Sequence, residues 1–171
     1  MSAFLFPGQG SQTPGMGQFL FDNFNTAKHI FEEASDAINV DIKKLCFSSS
    51  MEELSLTENT QPALLTVSTA TAKVLTNDIG IRPVITAGHS IGEYSSFVLS
   101  DVMKFSDAVR AVRLRGQAMQ SAVPVGQGGM TATLGLNEDQ VLFLCDWGVK
   151  NSGHSPLSPA NYNCDGQIVI S

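Results

Sequence analysis

The stretch Arg82-Pro83-Val84-Ile85-Thr86-Ala87-Gly88-His89-Ser90-Ile91-Gly92-Glu93-Tyr94 decides the fold. Arg82 to Ala87 reads as a buried strand, with Val84-Ile85-Thr86-Ala87 as its apolar part. Gly92 to Leu99 reads as a helix. Between them lies Gly88-His89-Ser90-Ile91-Gly92, a GxSxG turn in the strand-to-helix context that a nucleophilic serine requires. Such a serine sits on a sharp, strained turn, so its neighbours must be small, and Gly88 and Gly92 meet that need. The turn also sets Ser90 at a helix N-terminus, where backbone N–H groups can stabilise an oxyanion. A Gly-flanked turn with a capping serine fits the same five residues, and local pattern leaves both readings open. His89 is adjacent to Ser90 and points elsewhere on a tight turn, so it is read as supporting the turn. Glu93 suits the positive end of the helix dipole.

Outward from this turn, strands and helices alternate. Ala3 to Phe6 is a short buried strand ended by Pro7-Gly8. Asn23 to Ile38 is a helix with Ile30, Phe31, Ala34 and Ile38 on one side. Gln61-Pro62-Ala63 opens another, Pro62 fitting the first helical position. Leu64, Val67, Thr71 and Val74 form its inward stripe, and Asn77-Asp78 ends it. Ser106 is the expected N-cap of a long helix reaching about Ser121. The Gly- and Pro-rich stretch from Val123 to Gly129 marks a boundary. Met130 to Leu136 is strand-like, Glu138 to Trp147 helical and Gln167 to Ser171 strand-like, a second β-α-β unit. The alternation implies an α/β fold with a mainly parallel sheet.

Composition narrows the function classes. The chain has 171 residues, 43% hydrophobic and 15% charged, which is globular composition. No apolar run approaches the about 18–20 residues of a membrane span, and the N-terminus lacks the basic and long apolar regions of a secretory signal. Three widely spaced cysteines, Cys46, Cys145 and Cys164, form no CxxC and read as packing residues. They favour a reducing cytoplasm over a disulfide framework or a zinc site. A net charge of −6 argues against nucleic acid as a partner. The charge is uneven: residues 1–81 hold nine acids and four bases, whereas 82–115 hold five bases and three acids. That local basic stretch could attract an anion, or simply be a solvated helix face.

A second candidate site is Phe6-Pro7-Gly8-Gln9-Gly10-Ser11-Gln12. A Gly-Gln-Gly loop exposes backbone N–H groups, as an oxyanion or phosphate site does. It is neither a Walker A loop nor a GxGxxG loop, and alone it reads as an ordinary β-to-α connection. Together with Gly88-His89-Ser90-Ile91-Gly92-Glu93-Tyr94, however, it resembles the malonyl-CoA:acyl-carrier-protein transacylase family. Thr60-Gln61-Pro62-Ala63, Arg115-Gly116-Gln117-Ala118-Met119-Gln120, and Asn161-Tyr162-Asn163 leading to Gly166-Gln167-Ile168-Val169-Ile170 match it too, in order and approximate spacing.

The resemblance implies a hydrolase-like α/β core, residues 1–126 here, with the start of an inserted ferredoxin-like subdomain in 127–171. It implies that Ser90 attacks a malonyl thioester and holds an acyl ester. The acyl group then passes to the phosphopantetheine thiol of acyl carrier protein, in fatty acid biosynthesis. The backbone N–H groups of Gln9 and Ile91 would form the oxyanion hole, and Arg115 would pair with the free malonyl carboxylate. Malonyl-CoA would be substrate, with no permanently bound cofactor and no metal. Ile91 fits malonyl rather than methylmalonyl by analogy within the family. Helical periodicity places Val109, Val112, Gly116 and Met119 inward and puts Arg110 far round. It does not choose between Arg113 and Arg115; the motif selects Arg115.

A serine nucleophile needs a base. In the family it is a histidine in a motif beyond the second subdomain. His29 and His154 match no such motif and read as exposed. The expectation is therefore a truncated enzyme that transfers malonyl poorly alone, and that exposes an apolar sheet edge or face and self-associates or needs its missing part. Competing readings are a serine acyl hydrolase, an acyltransferase domain cut from a polyketide synthase, and a non-catalytic carrier-protein-binding fragment.

Overall fold

The computed structural model describes residues 1–123 and 126–171. Pro124 and Val125, within the expected boundary stretch, lie outside the described residues. The chain divides into two compact units, Met1–Ala122 and Val123–Ser171.

The first unit contains β1 (Ala3–Phe6), α1 (Gln18–Asn23), α2 (Asn25–Ile38), α3 (Ile42–Ser48), α4 (Met51–Ser55) and α5 (Thr57–Lys73). A π-helical turn (Val74–Asp78) follows, then β2 (Ile85–Gly88), α6 (Gly92–Leu99) and α7 (Phe105–Ala122). β1 and β2 pair in parallel, from Ala3 opposite Ile85 to Phe6 opposite Gly88. This pairing across a long helical crossover is the α/β arrangement expected. The core is mostly helical: α5 packs against α2, α6 and α7. Phe31, Ile42, Leu54, Leu65, Ile91, Val109 and Val112 are fully buried there. Burying each such side chain is worth about 1.5–3 kcal/mol. Burial also pushes the Cys46 thiol up from 9.0 to about 12, the mark of a packing cysteine rather than a reactive one.

Several local expectations need correction. The two strands are only partly covered: Phe6 is buried, but Leu5 and Ile85 are 76% and 63% exposed, and Val84, just before β2, is 69% exposed. Among the described residues each has the other as its one neighbour, so apolar composition is not matched by cover. The helix expected to open at Gln61 begins at Thr57, so Pro62 lies inside it rather than at its first position. Its Leu64–Val67–Thr71–Val74 stripe was drawn too narrow. Residues from Thr60 to Thr66 are buried all round the helix, whereas Thr71 is exposed. That is the burial of a central helix, not of one with a single wet face. Ser106 is not the N-cap, because α7 already starts at Phe105 and Ala108 N–H donates to the Lys104 carbonyl. The short helices α1, α3 and α4 were not anticipated. Two of them carry readable caps: Asp41 accepts from Lys44 N–H and Ser50 from Glu53 N–H.

The second unit contains β3 (Thr131–Leu134), α8 (Glu138–Ser152), β4 (Pro159–Cys164) and β5 (Gln167–Ile170). Its sheet, in order β3-β5-β4, is antiparallel throughout. The parallel β-α-β expectation is therefore wrong for this segment. The reason is β4, which alternation did not reveal: it inserts between α8 and β5 and reverses the direction of the last strand. α8 opens with a capping box between Asn137 and Gln140 and ends at Gly153 in the left-handed conformation. The unit closes on a small core of Val141, Cys145 and Ile168.

Candidate active site

The parallel register sets the site. Phe6 and Gly88 are partners at the carboxyl ends of β1 and β2, and His89 N–H donates to the Phe6 carbonyl at 3.0 Å. The loop after β1 and the turn after β2 are thereby held side by side, at the strand ends where α/β sheets bind ligands.

The turn has the strain its motif predicts. Ser90 sits at φ 53°, in the left-handed region that side chains other than glycine rarely adopt. Both flanking glycines are required by close approach. A Cβ on Gly88 would run into the Gly92 backbone; one on Gly92 would come within 2.8 Å of the Pro7 carbonyl oxygen. Gly8, in the neighbouring loop, leaves room for the His89 ring. The helix after the serine starts immediately. Gly92, Glu93 and Tyr94 donate to the carbonyls of His89, Ser90 and Ile91. The Ile91 N–H precedes these donors and has no acceptor among the described residues, while its side chain is buried and fixes it in place. The Gln9 N–H likewise has no acceptor among the described residues. The Gln9 side chain is tied back by Nε2 to Thr57 Oγ1 at 3.3 Å. The loop is braced by Gly10 N–H to Gln12 Oε1 and Ser11 Oγ to the Gly8 carbonyl. Unpaired amides beside an exposed serine can hold developing negative charge.

The three arginines of α7 separate cleanly. Arg115 Nη2 donates to Ser90 Oγ at 3.2 Å and Nη1 to Gln61 Oε1 at 2.8 Å. Arg113 turns instead toward the start of α5, donating to the Glu58 carbonyl and to Asn59 Oδ1, both at 2.7 Å. Arg110 pairs with Asp107 on the exposed face. The choice that periodicity left open thus falls to Arg115 as the guanidinium at the serine. Gln61 is the site residue that the sequence reading missed as a functional group. It is fully buried on α5, and its Nε2 also lies 3.3 Å from Met119 Sδ. Its signal was present: a glutamine beside a mid-helix proline in Thr60-Gln61-Pro62-Ala63.

His29 and His154 are exposed. Among the described residues no group of three His, Cys, Asp or Glu could hold a metal. No helix among the described residues is long and apolar enough to cross a membrane.

A strained serine at a helix start, with a guanidinium at its Oγ, is an arrangement that can serve acyl chemistry. The comparison with protein families matches residues 3–160 to the acyl transferase domain. The chain belongs to the acyl transferase domain family. Within it, the chain is 47% identical over 170 residues to a malonyl CoA-acyl carrier protein transacylase of Staphylococcus aureus, covering 99% of this chain and 54% of that protein. A Bacillus subtilis transacylase of the same description is 46% identical over 169 residues, with 99% and 52% covered. Among solved structures, the Coxiella burnetii malonyl CoA-acyl carrier protein transacylase superposes with TM-score 0.89 at 41% identity, over 98% of this chain and 52% of that one. A structure described as a type II PKS acyl-carrier protein in complex with its malonyl-transacylase gives TM-score 0.88 at 42% identity, over 98% and 53%. This acyl transferase chain spans about half the length of the relatives it matches.

Proposed function

We propose that this chain carries the nucleophile and the acyl-selecting half of a malonyl-CoA:acyl-carrier-protein transacylase. The observation that carries the reading is the Arg115 guanidinium donating to both Ser90 Oγ and Gln61 Oε1. A cation held at the nucleophile suits an acyl group that ends in a carboxylate.

Ser90 Oγ attacks the thioester carbonyl carbon, forming a C–O bond as its proton passes to a base. The oxyanion rests on the Gln9 and Ile91 N–H groups, the C–S bond breaks, and coenzyme A leaves as the thiol after taking up a proton. The phosphopantetheine thiol of acyl carrier protein then attacks the ester and frees Ser90. Arg115 holds the malonyl carboxylate; an acetyl group would leave that guanidinium without its partner and is disfavoured. In the family this chain resembles the base is a histidine, and neither His29 nor His154 is assigned that role here. The second unit is the start of a ferredoxin-like subdomain, a reading supported by its helix on a three-stranded antiparallel sheet. Carrier protein is acidic, so the encounter relies on a local basic patch within residues 82–115 and not on the overall charge of −6.

A general base is worth about 10²–10⁴-fold in rate, so residues 1–171 are expected to acylate slowly. Intact-mass spectrometry after incubation with malonyl-CoA should find one malonyl adduct, mapped to Ser90 and absent from Ser90→Ala. Added holo-carrier protein should take that group onto its thiol. An adduct that survives Ser90→Ala contradicts the proposal, and release to water with none on the carrier favours a serine hydrolase. Steady transfer lost on His154→Ala would place the base inside this chain.

A further inference from the structure

Pro62 lies five residues into α5, where it has no N–H to return to the Glu58 carbonyl four residues earlier. That carbonyl is occupied from outside the helix. Arg113 Nη1, on α7, donates to it at 2.7 Å and to Asn59 Oδ1 at 2.7 Å. Its Nη2 lies 3.6 Å from a Glu58 carboxylate oxygen. The Arg113 side chain is only 20% exposed, so this is a sheltered, many-contact anchor rather than a surface ion pair. One turn further along α7, against the same first turn of α5, the backbones almost touch: a Cβ on Gly116 would come within 2.6 Å of Glu58 Cα and 2.8 Å of the Thr57 carbonyl oxygen. Gln61, buried on the same turn of α5 as Pro62, is the residue whose Oε1 holds Arg115.

We infer that Arg113 is a positioning residue for acyl selection. By taking the carbonyl that Pro62 leaves without a helix partner, it fixes the first turns of α5 against α7. It thereby sets where Gln61 presents its oxygen to the Arg115 guanidinium. The inference rests on the proposed role of Arg115 and deepens it: the arginine that meets the carboxylated acyl group is aimed by a second arginine that never touches it. A planar fork with several donors serves both acceptors at once; a lysine ammonium is a point charge and does this poorly.

The test is competition between malonyl-CoA and acetyl-CoA for Ser90, read by intact mass. It uses the unaltered chain, Arg113→Met, and the pair Arg113→Met with Pro62→Ala. Arg113→Met is expected to lower the malonyl-to-acetyl ratio by about 10- to 100-fold, the cost of a small misplacement of an orienting group, with acetyl uptake little changed. Adding Pro62→Ala gives the Glu58 carbonyl a helix N–H again and should restore most of the ratio. The Gln61 side-chain amide signal in a nitrogen–proton NMR spectrum should move in the single variant and return in the double. If Arg113→Met does not fold, Arg113→Lys carries the same comparison with a smaller loss. A malonyl preference unaltered by either Arg113 variant overturns the inference and leaves the role of Arg115 standing. So does equal loss of malonyl and acetyl uptake, which a merely structural arginine would give. No malonyl preference in the unaltered chain overturns the role of Arg115, and the inference with it.

Discussion

The serine turn and the crossing of α5 with α7 both depend on glycines that let two backbones approach, yet they are assembled differently. At the turn, the glycines and the serine lie within five residues, and the strain sits in one dihedral, φ 53° at Ser90. At the crossing, the arginine side-chain hydrogen bonds join residues 54 or 55 apart, Arg115 to Gln61 and Arg113 to Glu58 and Asn59. The turn leaves the serine exposed, and the crossing decides what stands beside it. In the proposed function reactivity is therefore a local property and selection a long-range one, and the two should fail separately.

The largest effect is expected where the turn meets β1. Gly92→Ala drives a methyl into the Phe6–Pro7 backbone, which a flexible side chain cannot relieve. A loss of about 3 kcal/mol or more follows from overpacking, seen as a fall in the urea midpoint together with loss of Ser90 acylation. An unchanged midpoint would show that the turn is looser than its geometry. Gly116→Ala should cost less, about 1–3 kcal/mol, because two helices can slide where a strand end cannot. It should disturb malonyl selection more than acetyl uptake; equal loss of both would merge the two regions into one.

A smaller effect belongs to Cys46. Its raised pKa means that the unfolded chain ionises first. Its contribution is thus present in full below pH 9.0 and is lost as pH rises from 9.0 through about 12. A maleimide at neutral pH should label exposed Cys164 at once and Cys46 only on unfolding. Rapid labelling of Cys46 would mean that the core of the first unit opens readily. The smallest effect is Arg110→Ala. The Arg110–Asp107 pair is more than half exposed on both sides, so the unfolding free energy from urea titration should change by about 0.5 kcal/mol or less with selection unchanged.

The same contrast explains what could be read from the sequence. Ser90, its glycines and the strand–helix context were legible because turn strain is written in neighbouring residues. Gln9 and Ile91 enter as oxyanion donors only through family resemblance, since a backbone N–H has no residue identity. The division of labour between Arg113 and Arg115 was not legible, because both flank the same stripe and their partners lie on another helix. Pro62 misled the reading of α5: a proline signals a helix start, and nothing nearby says that Arg113 replaces the lost hydrogen bond. β4 was hidden because Pro159–Cys164 is nearly all exposed and lacks an alternating apolar face.

The central claim is that Arg115 selects the acyl group that Ser90 accepts. It is tested most directly by offering equal malonyl-CoA and acetyl-CoA to the unaltered chain and to Arg115→Ala, and reading the Ser90 adduct by mass. The unaltered chain should carry malonyl almost alone, and Arg115→Ala should lose malonyl while still accepting acetyl. The same malonyl-to-acetyl ratio in both would contradict the account.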